Sequence, residues 1–191
     1  CSFNLHGLGK GTAQFADAVT YEVALQQRAA FIASELAGCT VLALQETGSP
    51  DDAEQLAAAL NSNFGLTYQA LAIEGPASYD SEFPLTNSLL VDSARVQVAS
   101  VASVLGCAPQ DYGIVSAGAC GQGEYPIFDR PPLLAQLTIA GPPDAPWPAA
   151  TTLWVINNHW KSKSGDEVAN AQLRAAQANA VAAQVQTIVT G

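Results

Sequence analysis

Of the 191 residues, 49% are hydrophobic and 13% charged, a balance that suits one globular domain with a sizeable core and excludes a disordered chain. The formal net charge of −10 argues against broad electrostatic attraction to nucleic acid, though not against a local basic patch. No apolar run approaches the roughly 20 residues of a membrane helix, so no membrane span is expected.

In chain order, Cys1–His6 reads as a short strand, followed by a glycine-rich turn through Gly7, Gly9 and Gly11. Gly9-Lys10-Gly11-Thr12 lacks the spacing that cradles phosphates and is expected to be only a connection. Val23, Phe31, Ile32 and Leu36, filled in by alanines, predict an amphipathic helix over Thr20–Ala37 that Gly38 stops. Thr40–Glu46 is a continuous apolar run ending in Gln45-Glu46, as a doubly buried strand reads when its end reaches a cleft. Ser49-Pro50-Asp51-Asp52 supplies a cap, a first-turn proline and two acids suited to the helix dipole, predicting a helix as far as Leu60.

Strands are predicted at Tyr68–Ile73, Asn87–Val91, Arg95–Val101, Leu133–Ile139 and Thr152–His159. A loop spans Gly106–Pro126 and a proline-rich turn Gly141–Pro148. Leu173, Ala176, Ala180, Val181, Gln184, Val185 and Ile188 are spaced for one packed face of a last helix over Asp166–Val189. This order predicts a layered α/β architecture with a mixed sheet, in a single domain over residues 1–191.

Cys1, Cys39, Cys107 and Cys120 form no CxxC pair, and with two histidines a structural zinc site is not expected. Cys107 and Cys120 flank a loop rich in Gly, Pro, Asp and Gln, which a disulfide would staple; two separate buried thiols are the plainer alternative. The state of Cys1 and Cys39 stays open. The scarcity of lysine together with this loop favours an oxidising, extracellular setting. No methionine occurs, so an initiator is missing and the chain is expected to be processed or cut from something longer. Among seven Lys and Arg, Lys161, Lys163 and Arg174 fall in one short stretch, with Arg130 a candidate neighbour. That clustering points mildly to an anion site, against the plainer reading of solubilising charges.

Three strand ends carry the polar groups that could do chemistry: Asn4 on the first strand, Gln45-Glu46 on the second, and Asn157-Asn158-His159 on the last. Such groups at the ends of apolar strands cost desolvation unless they are paired or face a cleft. A carboxylate, amides and an imidazole together suit a hard-metal phosphate site. Magnesium and manganese take oxygen ligands of the kind Glu46 and Asn4 offer, and a histidine can donate to a phosphate oxygen as charge builds on it.

The segments Asn4-Leu5-His6-Gly7-Leu8, Ala43-Leu44-Gln45-Glu46, Arg130-Pro131-Pro132-Leu133 and Asn157-Asn158-His159-Trp160-Lys161-Ser162-Lys163 resemble, in that order, the endonuclease/exonuclease/phosphatase superfamily. They look most like its secreted bacterial extracellular nucleases. The resemblance implies a four-layer α/β/β/α sandwich of the DNase I-like type and metal-dependent hydrolysis of DNA or RNA phosphodiesters. By that likeness Glu46 binds the metal and Asn4 orders the metal and the attacking-water region. His159 contacts the scissile phosphate, and Arg130 supports the substrate backbone, with Asn158 and Lys161 beside the phosphate path. The ion would be magnesium or manganese, with calcium as an alternative. The secreted branch often carries a disulfide-bearing loop before that arginine, which agrees with Cys107 and Cys120. His6 is expected to be structural.

The family's G-D-x-N and S-D-H-x-P segments are absent; Gly165-Asp166-Glu167-Val168 does not match the first of them. The C-terminal part of the sandwich, with its water-activating His–Asp pair, is therefore expected to lie outside these residues, which would form roughly the first two thirds of the domain. The stretch alone is then expected to be inactive, and a second segment or chain to complete it. Two other readings remain: a phosphodiesterase acting on a phospholipid or sugar phosphate, and a catalytically dead domain serving as a binding or structural module.

Overall fold

The computed structural model describes residues 1–11, 13–73, 85–104, 106–114, 120–141, 150–163 and 165–191. The proline-rich turn after Gly141 and the middle of the loop over Gly106–Pro126 lie outside the described residues.

One sheet has the strand order β1-β2-β4-β3, built from β1 (Ser2–Leu8), β2 (Val41–Thr47), β3 (Tyr68–Ala72) and β4 (Thr86–Asp92). β1 and β2 run parallel, joined by α1 (Ala18–Phe31); the other pairings are antiparallel. A second, wholly antiparallel sheet has the order β5-β8-β9, from β5 (Val96–Ser103), β8 (Leu133–Ala140) and β9 (Ala150–Asn157). Between β5 and β8, β6 (Cys107–Ala108) and β7 (Tyr125–Pro126) form a short antiparallel pair.

Apolar side chains sort into three layers of contact. Leu5, Leu8, Leu42 and Leu44 point from the first sheet toward Tyr21, Leu25 and Ile32 of the first helical segment and Leu56 and Leu60 of α2 (Pro50–Phe64). Leu89 and Val91 pack with Leu133, Ala135 and Leu137 between the two sheets. Ile127 and Phe128 pack under Leu173, Ala176 and Ala180 of α3 (Glu167–Thr190). Helices, sheet, sheet and helix therefore follow one another, as layered packing around apolar faces requires.

Local chemistry explains the helix ends. Ser49 and Asp52 form a reciprocal capping box at α2, Pro50 takes the first turn, and Gly65 closes the helix in the left-handed conformation at φ 67°. Asp166 caps α3 by accepting from the Val168 and Ala169 amides.

Two predicted helix faces are corrected. Val23 is 52% exposed and Phe31 45% exposed, because the buried stripe of α1 runs through Tyr21, Ala24, Leu25 and Ala29. Phe31 instead stacks on Phe3, with ring centroids 4.9 Å apart. The helix then continues through Ile32–Leu36 as a π-helical segment, which shifts the phase of the face. On α3 the packed face ends early. Asn170, Leu173 and Gln177 are buried, but Val185 is 45% exposed and Val189 76% exposed.

Cys107 and Cys120 form the expected disulfide. Cys1 and Cys39 form a second. Parallel pairing puts them together: Cys1 donates its N-terminal amine to the Val41 carbonyl and accepts from the Ala43 amide, so the chain start lies beside the entry to β2. With sequence separations of 13 and 38 residues, chain-entropy arguments give the two bridges about 3 and about 4 kcal/mol.

Candidate active site

β1 and β2 are parallel, so their carboxyl ends lie side by side, with Asn4 in register with Gln45. The register of both β1 with β2 and β2 with β4 breaks at this level, and His6 and Glu46 stand there at φ 55° and 58°. A non-glycine residue in the left-handed region is strained, and a bulge re-aims the side chain it carries. The strain at Glu46 is thus spent in turning a carboxylate out of an apolar strand toward the cleft. On β1, the Asn4 Oδ1 accepts from the His6 amide at 2.7 Å, and Arg28 donates its Nε to the Leu5 carbonyl at 2.7 Å. Arg28 also lies over the Phe15 ring at 5.6 Å. These contacts hold the bulge from the α1 side.

β9 reaches the same place from the second sheet, and Asn157 is the joint. Its amide donates to the Leu44 carbonyl at 2.6 Å and the Ser88 carbonyl at 2.8 Å, and its Oδ1 accepts from Gln45 Nε2 at 2.6 Å. One buried side chain thereby ties β9 to β2 and β4. Asn157→Leu leaves those partners unpaired in the interior, so unfolding in urea is expected to show a loss of about 2–4 kcal/mol. An unchanged midpoint would mean that the joint carries no weight.

Antiparallel register then sets the partner of His159. Leu133 pairs with Asn157, so Arg130, just before β8, meets the residues just after β9. Arg130 Nη1 lies 3.0 Å from His159 Nδ1, and His159 Nε2 lies 3.3 Å from Glu46 Oε1. A guanidinium only donates, so His159 accepts at Nδ1 and, when neutral, carries its proton on Nε2, aimed at Glu46. Burial pushes the His159 pKa below its ordinary value and the Arg130 charge adds to that, while Glu46 opposes both. His159 and Glu46 are only 18% and 21% exposed, so the pair is shielded but open to the cleft.

The sign of the shift makes a test. Because the folded protein lowers the His159 pKa, protonation costs stability as pH falls through the ordinary histidine value and toward the depressed one; above that window His159 is neutral in both states. Without metal, Arg130→Gln is expected to raise this pKa and Glu46→Gln to lower it, read by NMR titration of the imidazole nitrogens. Shifts of the opposite sign would contradict the arrangement.

The segment after His159 is pinned from α3. Gln177 accepts from the Lys161 amide at 3.1 Å and donates to the Ile127 carbonyl at 2.8 Å. Arg174 donates to the Lys161 and Ser162 carbonyls at 3.4 and 3.2 Å and pairs with Glu167. Arg174 is therefore committed to holding this segment, while Lys161 and Arg130 share the neighbouring pocket. Lys161 lies 3.7 Å from Asp129, a half-exposed pair of small energetic weight. Lys161 also lines the pocket beside Arg130 and His159.

Asn158 lies apart from that pocket. Its amide turns back to the Ile156 carbonyl at 3.2 Å, and its Oδ1 is buried without a partner among the described residues. Asn87 was not foreseen; it donates to the Pro131 carbonyl at 3.0 Å and the Arg130 carbonyl at 3.3 Å, fixing the turn that presents Arg130. His6 is exposed, and its amide donates to Asn4 Oδ1.

No protein-family model matches this sequence, and no curated protein matches it. Solved structures do. Humanized D. rerio TDP2 superposes with a TM-score of 0.53 at 18% identity, over 97% of this chain and 54% of that one. A functionally unknown conserved protein from Enterococcus faecalis V583 superposes with a TM-score of 0.53 at 13% identity, over 90% of this chain and 57% of its own. The chain thus spans a little over half the length of these structures. The fold they share with it is the layered α/β sandwich of the DNase I-like type.

Proposed function

We propose that this chain is the metal- and phosphate-holding part of a divalent-metal-dependent phosphodiesterase, acting on DNA or RNA outside the cell. The observation that carries the reading is His159, placed between Arg130 at 3.0 Å and Glu46 at 3.3 Å at the meeting point of strands from two sheets.

Among the described residues no three His, Cys, Asp or Glu side chains cluster as a ready-made metal cage. Magnesium and manganese do not demand one: they commonly keep several waters and bind through one or two carboxylates plus substrate phosphate. Glu46 suits that single-carboxylate role. Asn4 Oδ1 keeps a second lone pair beyond the one taken by the His6 amide. When bound, the ion supplies Lewis-acid charge to a phosphate oxygen.

The chain's own groups do the rest. With Glu46 as the residue that would hold the ion, His159 Nε2–H can face a non-bridging phosphate oxygen. It can donate there as charge builds, with Arg130 fixing its tautomer from the other side. The remaining guanidinium nitrogens of Arg130 can grip the same phosphate, and Lys161 adds positive potential nearby. All four cysteines are disulfide-bonded, which supports an oxidising compartment. Among the described residues no helix is long and apolar enough to cross a membrane.

The test is hydrolysis of plasmid DNA and of bis(p-nitrophenyl) phosphate by the full-length protein with magnesium or manganese. Cleavage that EDTA abolishes is expected for both substrates. Cleavage of the small diester alone would redirect the reading to a non-nucleic-acid phosphate ester, and a folded protein inert with every divalent ion would favour a binding module of the same fold.

A further inference from the structure

We infer that the pocket beside His159 is a nucleobase subsite, with Trp160 as the stacking face for the base attached to the phosphate that Arg130 and His159 hold. The inference rests on the phosphodiesterase reading for the position of that phosphate. It rests on the pocket itself for the base.

The pocket is lined by Asp129, Arg130, His159, Trp160, Lys161, Ser162 and Gln177. Trp160 is 40% exposed, and a single exposed aromatic would by itself mean little. Its setting is what argues. The backbone just after it is fixed, the Lys161 amide by Gln177 and the Lys161 carbonyl by Arg174, and the side chain just before it, His159, is held by Arg130. Gln177 is itself anchored to the Ile127 carbonyl. The segment that carries the indole is thus ordered in advance, so less backbone ordering is left to lose when a ring stacks on it.

Charge divides the pocket in a matching way. Arg130 and His159 form its phosphate-favouring end. Asp129 stands with Lys161 at 3.7 Å, and its carboxylate would repel phosphate but can accept from the exocyclic amine of a base, with Ser162 able to donate or accept. A phosphate, a flat apolar face and hydrogen-bonding groups in succession describe a nucleotide better than a lipid or sugar phosphate. A base can reach such a face only when it is unstacked, so the subsite favours single strands, frayed ends or short oligonucleotides over intact duplex.

The experiment measures binding of a labelled single-stranded tetranucleotide to the full-length protein in EDTA, beside a tetramer of the same backbone with abasic sites. Without metal, catalysis does not enter. The wild type is expected to bind the base-bearing tetramer roughly tenfold tighter. Trp160→Leu, which keeps apolar bulk but cannot stack, and Trp160→Ala should both erase that difference while leaving abasic binding unchanged; Trp160→Phe should largely preserve it. Equal binding of the two tetramers by the wild type, or a difference that survives Trp160→Leu, overturns the subsite. Hydrolysis of bis(p-nitrophenyl) phosphate by the same preparations with magnesium reports separately on the phosphodiesterase reading, so the two can fail independently.

Discussion

Glu46→Gln is expected to lower metal-dependent cleavage of plasmid DNA by roughly 10³-fold, since a bound ion contributes several kcal/mol of charge stabilisation and each 1.36 kcal/mol is a decade of rate. The amide keeps the shape of the carboxylate at a strained position, φ 58°, so the fold should be retained and far-UV circular dichroism unchanged. If the carboxylate is the anchor, metal affinity falls, and raising the magnesium concentration should recover part of the loss by mass action. A Glu46→Gln protein that cuts at the wild-type rate would remove the residue from the site.

His159→Ala should cost roughly 10²- to 10³-fold, the usual price of deleting one preorganised donor to a developing oxyanion. Unlike Glu46→Gln, it should leave metal binding nearly intact, because His159 meets Glu46 through a proton and not through the ion. It also strips Arg130 of its acceptor at 3.0 Å, so binding of substrate should weaken along with turnover. The pair acts as one unit with Glu46, and the double variant should be little worse than Glu46→Gln alone. Cleavage by His159→Ala at the wild-type rate would show that the imidazole only fills space.

Much of this arrangement was legible in the residues. The capping box at Ser49 and Asp52 formed because its signal is local, and each apolar run ending in polar residues became a strand ending at the cleft. Asn4, Glu46 and His159 were readable as strand-end polar groups, and Arg130 through the resemblance carried by Arg130-Pro131-Pro132-Leu133. The structure brings three of them into direct contact and sets Asn4 in register with Gln45, next to Glu46.

What was not legible depends on geometry beyond the pattern. The left-handed turns at His6 and Glu46 carry no glycine signal. They are imposed by breaks in strand register. Asn157 and Asn158 are neighbours of identical type, and only the facing of β9 decides that Asn157 joins the sheets while Asn158 folds back. Arg174 is spaced like a member of a basic cluster, yet the carbonyls of Lys161 and Ser162 claim it. The Cys1–Cys39 bridge needed the parallel pairing of β1 and β2, which no spacing in the sequence reveals. Helix periodicity failed at Val23 and Phe31, because Tyr21, Ala24, Leu25 and Ala29 form the buried stripe.

The most direct measurement of the central claim is a manganese titration of the full-length protein followed by electron paramagnetic resonance, in the presence of a phosphorothioate diester that resists cleavage. The account predicts bound manganese in the wild type, retained in His159→Ala and lost in Glu46→Gln. Binding that is absent from the wild type, or equal in wild type and Glu46→Gln, would contradict it.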